Sequence, residues 1–284
     1  MMLTSIDILV AVQRDRAGEY YQNLSANQDF SIQIVSDTGD TLEILSDRDR
    51  HVDILIIDNS LPGVFDLITD LRHTYPRLLI ILVDEEADFG LPGHADDIST
   101  EPFTNQDLEK RIRRLMSDRR LETLRADSLP AVRQFAKRLR TAPPGEGGKY
   151  QAAVSASFDL NYDYVAFYRL ESIEPLKIEL KAQEGPKSIQ AVAPKQGSED
   201  DIIGWVAKNR QIRISSPEDT LNHPLVARGR LGAAACIPVI FSGTNYGVLV
   251  ACREQPGSIS QENVLMLELI STQLAAAISK ERVD

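Results

Sequence analysis

Few side chains in this 284-residue chain stand where they could do chemistry. Asp58 follows the apolar run "DILII" and precedes "NSLPG", which predicts a carboxylate at the end of a buried strand, opening onto a turn. Two thiols, Cys236 and Cys252, lie far apart with no CxxC pairing and no histidine at ligand spacing. That argues against a disulfide framework and a zinc site, and both thiols read as core filler. No nucleophile and base share a recognisable motif, and no glycine loop is shaped to cradle phosphate. No catalytic residue, metal or cofactor is therefore expected. Tyr168, Trp205, Phe241 and Tyr246 offer aromatic wall, and His223 and Arg228 polar anchors, the usual mixture in a small-molecule site.

The elements that must position these residues fall into two halves. Length and a 43% apolar content favour two globular domains. Residues 1–105 carry 20 acidic and 6 basic side chains, residues 106–141 carry 5 and 11, and residues 142–284 carry 17 and 14. The acidic first part argues against non-specific adhesion to DNA or to anionic lipid, since a phosphate backbone rewards a positive footprint. The basic middle part lacks interleaved aromatics apart from Phe135 and reads as the solvated edges of a packed or coiled helix. The opening "MMLTSIDILVAV" has a strand-length apolar run and no basic leader, so a cytoplasmic protein without membrane spans is expected.

Apolar runs at Ile6 to Val12, Ser31 to Val35, Asp53 to Ile57, Leu78 to Val83 and Asp96 to Ser99 alternate with helical periods. Together they predict a doubly wound, five-stranded parallel sheet over 1–105. Thr104, with Asp107 three residues on, predicts a capped connecting helix over 106–126 that carries the stripe Leu108, Ile112 and Leu115. Ser128 is expected to cap a second helix with Pro130 in its first turn, ended by "TAPPGEGGK". Beyond it, a helix from Tyr150, strands at Tyr164 to Leu170 and Leu176 to Gln183, a helix near Ile202 and a short strand "QIRIS" follow. The hairpin "AAACIPVIF" and "YGVLVAC" about "SGTN" and a long helix from Ser260 complete an α+β domain over 127–284, on a mostly antiparallel sheet.

Residues 4–116 resemble a response-regulator receiver domain, of flavodoxin-like fold. The resemblance rests on "IDILVAV", "FSIQIVSDTGDTLEIL", "VDILIIDNSLPG", "LLIILV" and "DDISTEPF" in the family's order. It implies a phosphoacceptor at Asp58 with Mg²⁺ held by an acidic pair after the first strand, where this chain has Val12 and Gln13. Val83 stands where a hydroxyl residue is usual, and Glu101 where a lysine is. Between Val83 and Asp96, "DEEADFGLPGH" is too short and broken for the usual fourth helix. Without oxygen ligands for the ion the chemistry lapses, so a degenerate, pseudo-receiver domain is implied.

Residues 127–282 are similar to a GAF domain, on "DIIGWVAKNRQIRI", "NHPLV" and the final 50 residues. The resemblance places Trp205, Asn222, His223, Arg228 and Cys236, beside Tyr168, at a ligand pocket. It offers no covalent bilin cysteine, cyclic-nucleotide pattern or set of loop cysteines. The reading is a non-catalytic signalling regulator of the two-component type, a homodimer through the connecting and terminal helices (Val264, Leu267, Leu274, Ile278). A signalling protein partner, such as a sensor kinase or effector, and a small ligand are expected, and no nucleic acid. A response regulator phosphorylated at Asp58 with GAF output is the alternative, and a cysteine-based reductase the third.

Overall fold

A computed structural model describes residues 5–47, 50–87, 94–126 and 130–281. The chain divides into two compact units, 1–121 and 122–284.

The first unit is built on β1 (Ile6–Ala11), β2 (Phe30–Val35), β3 (Ile54–Asp58), β4 (Leu79–Val83) and β5 (Asp97–Ser99). All pair parallel in the order β2-β1-β3-β4-β5, a common doubly wound order. β3 and β4 are buried at every residue, as parallel strands covered on both faces must be. Between the strands lie α1 (Ala17–Ser25), α2 (Thr38–Ser46) and α3 (Val64–Thr74). Ile8, Val10, Ile54, Ile56, Leu79 and Ile81 pack on one sheet face against Tyr20 and Leu24 of α1 and Leu108, Ile112 and Leu115 of α4 (Asp107–Ala126). The alternate residues Leu9, Leu55, Ile57, Ile80 and Leu82 are buried on the other face. No helix is formed by residues 84–87 or 94–96 between β4 and β5. Gly90, Pro92 and Gly93 of the broken crossover lie outside the described residues.

Two expectations for α4 change. The expected border between 105 and 106 lies inside the first unit, because Leu108, Ile112 and Leu115 close its core. The start of α4 is not capped by Thr104. Asn105 and Gln106 take left-handed φ of 53° and 60°, and the Asp107 carboxylate accepts from Ser99 Oγ and Arg111 Nε, both at 2.6 Å. The basic run is neutralised locally: Arg111 and Arg114 pair with Asp97, and Arg113 with Glu109 and Asp29. Those guanidinium groups are satisfied by the unit's own acids.

The second unit carries β6 (Tyr164–Ser172), β7 (Lys177–Glu184), β8 (Arg213–Ser215), β9 (Ala233–Phe241) and β10 (Thr244–Arg253), all antiparallel in the order β7-β6-β10-β9-β8. The β9–β10 turn is two residues long. Ser242 and Gly243 both have positive φ (49° and 78°), as a hairpin turn that matches the strands' right-handed twist requires. One face of this sheet is covered by α5 (Pro130–Thr141), α6 (Glu146–Phe158) and α10 (Gln261–Glu281), whose side chains join Phe167, Ile237, Val239 and Leu249 in one core. The other side of the sheet carries α8 (Ile202–Asn209), packed on β8, β9 and β10, and the unit also has the short helices α7 (Lys187–Val192) and α9 (Pro224–Ala227).

Helix α6 starts four residues before the expected Tyr150, taking Gly147 and Gly148 into its first turn. Ser128 lies outside the described residues, whereas the expected start at Ser260 holds. Ser260 N donates to Asn263 Oδ1 at 3.0 Å and Asn263 N to Ser260 Oγ at 3.3 Å, a reciprocal cap. Val264, Leu267, Leu274 and Ile278, expected at a dimer seam, are fully buried against the unit's own sheet. A long helix lying across a sheet spends its apolar stripe on that sheet first. Asp201 caps α8, accepting from Gly204 N at 2.9 Å and Ser198 N at 2.8 Å. Asp201→Ala is expected to cost about 1 to 2 kcal/mol in urea unfolding of this unit; a change under half a kcal/mol would contradict that role.

Candidate functional site

The first site lies at the C-terminal ends of β1 and β3, where the strand order reverses and a doubly wound sheet opens its crevice. Asp58 ends β3 and is 1% exposed. Its Oδ1 accepts from Ser60 N at 2.9 Å, the turn-capping role its sequence context predicts. Its Oδ2 accepts from Arg16 Nη1 at 2.8 Å and from the buried Tyr20 hydroxyl. Arg16 also reaches Glu85, just beyond β4, and its guanidinium lies 5.8 Å from the Tyr20 ring and 5.7 Å from that of Phe103. Against the cost of its burial, the hydrogen bond to Glu85 and then the charge of Asp58 push the Arg16 pKa up. Desolvation, then the hydrogen bond to Asp58, pushes the Tyr20 phenol far above its usual range, so it stays protonated as a donor.

The arrangement is a carboxylate saturated by a permanent cation, a phenol and a backbone amide. It ties together the segment after β1, the end of β3 and the segment after β4. Val12 and Val83 are buried and supply no oxygen ligand, and Gln13 Nε2 donates to the Ser60 carbonyl. Glu101 is exposed; the second acid of the network is Glu85. Sequence reasoning missed Arg16, Tyr20 and Glu85. The signal for Arg16 was present, as a basic residue three positions after Gln13, in the loop that follows the first strand. Among the described residues no group of three His, Cys, Asp or Glu side chains could hold a metal.

The second site lies on the sheet face of the C-terminal unit that turns away from α6 and α10. Strand alternation and register put Tyr164, Ala166, Tyr168, Arg213, Ser215, Ala234, Cys236, Val250 and Cys252 on that face. The Arg213 guanidinium sits 5.0 Å from the ring centre of Trp205, which is 1% exposed. The Tyr168 hydroxyl donates to the Pro194 carbonyl at 2.9 Å. Asn222 donates to the Ser216 carbonyl and accepts from His223 N, both at 2.7 Å, and His223 N also meets Ser215 Oγ at 3.4 Å.

His223 is fully buried. Its Nδ1 accepts from Leu225 N at 3.2 Å, so a neutral ring carries its proton on Nε2, which has no partner. Burial holds the imidazole pKa down at about 3. Burial likewise pushes the Cys236 and Cys252 thiols up, which disfavours the thiolate that cysteine chemistry needs. Five of the six sequence candidates, Tyr168, Trp205, Asn222, His223 and Cys236, are thus buried in this layer. Arg228 is exposed at the end of α9, and Phe241 is 39% exposed. Arg213 and Ser215 were missed, although the alternation of "RIS" after Ile212 marked them as facing one way.

The GAF domain family matches residues 150–278, and this part of the chain is a GAF domain, a sensor or regulatory module. No curated protein matches the chain. Among solved structures, the GAF domain of an Acinetobacter phosphoenolpyruvate-protein phosphotransferase is 17% identical, covering 54% of this chain and 93% of its own, with a TM-score of 0.46. The free methionine-R-sulfoxide reductase of Neisseria meningitidis is 14% identical over 53% of this chain and 87% of its own, with a TM-score of 0.46. A signal receiver domain of an HD domain-containing protein from Pseudomonas fluorescens Pf-5 is 21% identical over 40% of this chain and 96% of its own, with a TM-score of 0.36. Likenesses at this level transfer no function. No helix among the described residues is long and apolar enough to cross a membrane.

Proposed function

We propose that this chain is a non-catalytic signal-transduction regulator, a degenerate receiver joined to a GAF sensor module. The observation that carries the reading is the Arg16–Asp58 pair. Receiver phosphorylation needs a divalent cation on oxygen ligands and a free carboxylate. Here the carboxylate is held by a guanidinium fixed on the chain, the acidic-pair positions are Val12 and Gln13, and Val83 stands where the hydroxyl residue is usual. Incubation of the purified protein with Mg²⁺ and acetyl phosphate is expected to add no mass. One added phosphoryl group, absent from Asp58→Asn, would overturn the reading and restore a phosphorylated response regulator.

The GAF unit's part is to bind a small, non-covalent ligand beneath α8. His223 Nε2 supports this: a buried N–H without an acceptor costs about 1 to 3 kcal/mol, which a ligand carbonyl or other acceptor offsets. Trp205 reports the neighbourhood by fluorescence. Purines, cyclic nucleotides, amino acids and haem are the first compounds to titrate. If none shifts the emission or the melting temperature, and the native mass equals bare polypeptide, the sensor role falls. We further propose a homodimer seated on α4, where Leu121, six positions beyond Leu115, is 44% exposed. Light scattering at tens of micromolar should return twice the chain mass; a monomer refutes it.

A further inference from the structure

A second feature of the GAF unit lies away from the His223 side of its sheet. An open cleft of about 750 Å³ is bounded by the end of β6, the β9–β10 turn, the end of α8 and the start of α6. That volume is within the range of small-molecule sites. Its two carboxylates are already neutralised. Glu146 accepts from Arg169 Nε at 3.2 Å, and Glu171 pairs with Lys177 and lies 3.8 Å from Lys181. Arg169 is itself spent as a wall, its Nη1 donating to the carbonyls of Leu170 at 2.7 Å and Tyr246 at 3.0 Å.

Arg210 is different. It is exposed, its Nη1 donates only to the Gly243 carbonyl at 3.1 Å, and it has no carboxylate partner. Its backbone is left-handed (φ 57°, ψ 24°) at the end of α8, a place where glycine is the favoured residue. A side chain kept at a conformational cost, with a guanidinium on a cleft wall that pairs with no carboxylate and donates only to one carbonyl, suits recognition of a planar or tetrahedral oxyanion.

We propose that this cleft binds a small organic anion, its carboxylate or phosphate at Arg210, since Lys181 on the same lining is already paired with Glu179 at 2.8 Å. The rest of the ligand lies along the Tyr150 and Leu170 side. This site is independent of the His223 side of the sheet and of the function proposed above.

The test is isothermal titration of the full chain with succinate and, separately, with inorganic phosphate. Saturable binding of either supports the site, and which one binds distinguishes a carboxylate ligand from a phosphate-bearing one. Arg210→Gly is the decisive variant, because glycine suits the left-handed backbone. Its melting temperature should be unchanged or higher, while affinity falls about tenfold or more. His223→Asn, on the other face of the sheet, should leave the affinity unchanged. No heat with either probe, or equal affinity in Arg210→Gly, overturns the proposal.

Discussion

Arg16→Met is expected to destabilise the N-terminal unit by about 3 kcal/mol, because it leaves the Asp58 carboxylate, 1% exposed, without its cation. The Tyr20 hydroxyl and Ser60 N remain, so the group is hydrogen-bonded but uncompensated in charge. Part of the loss is offset because Arg16 keeps about a quarter of its side chain in water, where an ion pair is screened. Asp58→Asn in the Arg16→Met background should recover stability, since an amide keeps the turn-capping oxygen and carries no charge to bury. A double-mutant cycle read by hydrogen exchange at β3 amides should give a coupling above about 1 kcal/mol. Additive single-site effects, or Arg16→Met within about half a kcal/mol of the parent, would show that the pair is incidental. Mg²⁺ should change none of these values.

The second large effect is acid sensitivity of the GAF unit. His223 has a folded pKa of about 3 against an ordinary value of 6.5. Between those values the unfolded chain takes up a proton that the folded chain cannot, so stability rises with pH across this window and is lost as pH falls through it. The slope contributed is about 1.4 kcal/mol per pH unit, or roughly 2 kcal/mol lost by pH 5. His223→Asn removes the titration while leaving an acceptor for Leu225 N. Urea unfolding of Trp205 fluorescence at pH 7, 6 and 5 should show the parent losing about 2 kcal/mol more than the variant. Parallel pH dependences would mean that His223 is not held neutral. Asp201 does not confound the comparison, because it titrates in both proteins; burial raises its pKa, which acts in the opposite direction.

Strand sequences in both units were legible because their signals are local. Runs such as "DILIID" and "LLIILV" have no polar alternation, and only a sheet covered on both faces hides them. The β9–β10 hairpin was legible from one glycine between two apolar runs. The lack of oxygen ligands around Asp58 was also written in single positions, since Val12 and Val83 are apolar side chains and Gln13 is uncharged.

What surrounds Asp58 in the crevice was decided only by the fold. Arg16, Tyr20 and Glu85 lie 42, 38 and 27 positions from Asp58, and nothing in their local sequence pairs them. The parallel register of β1, β3 and β4 brings their C-terminal ends together, and Arg16 then becomes the nearest cation to a buried carboxylate. The terminal helix makes the same point from the other side. The spacing of Val264, Leu267, Leu274 and Ile278 determined an amphipathic helix, but periodicity fixes a face and not its partner. The partner was decided by a sheet in the same unit that needed a cover, and the unpartnered His223 Nε2 and an Arg210 without a carboxylate are likewise features that only three-dimensional packing creates.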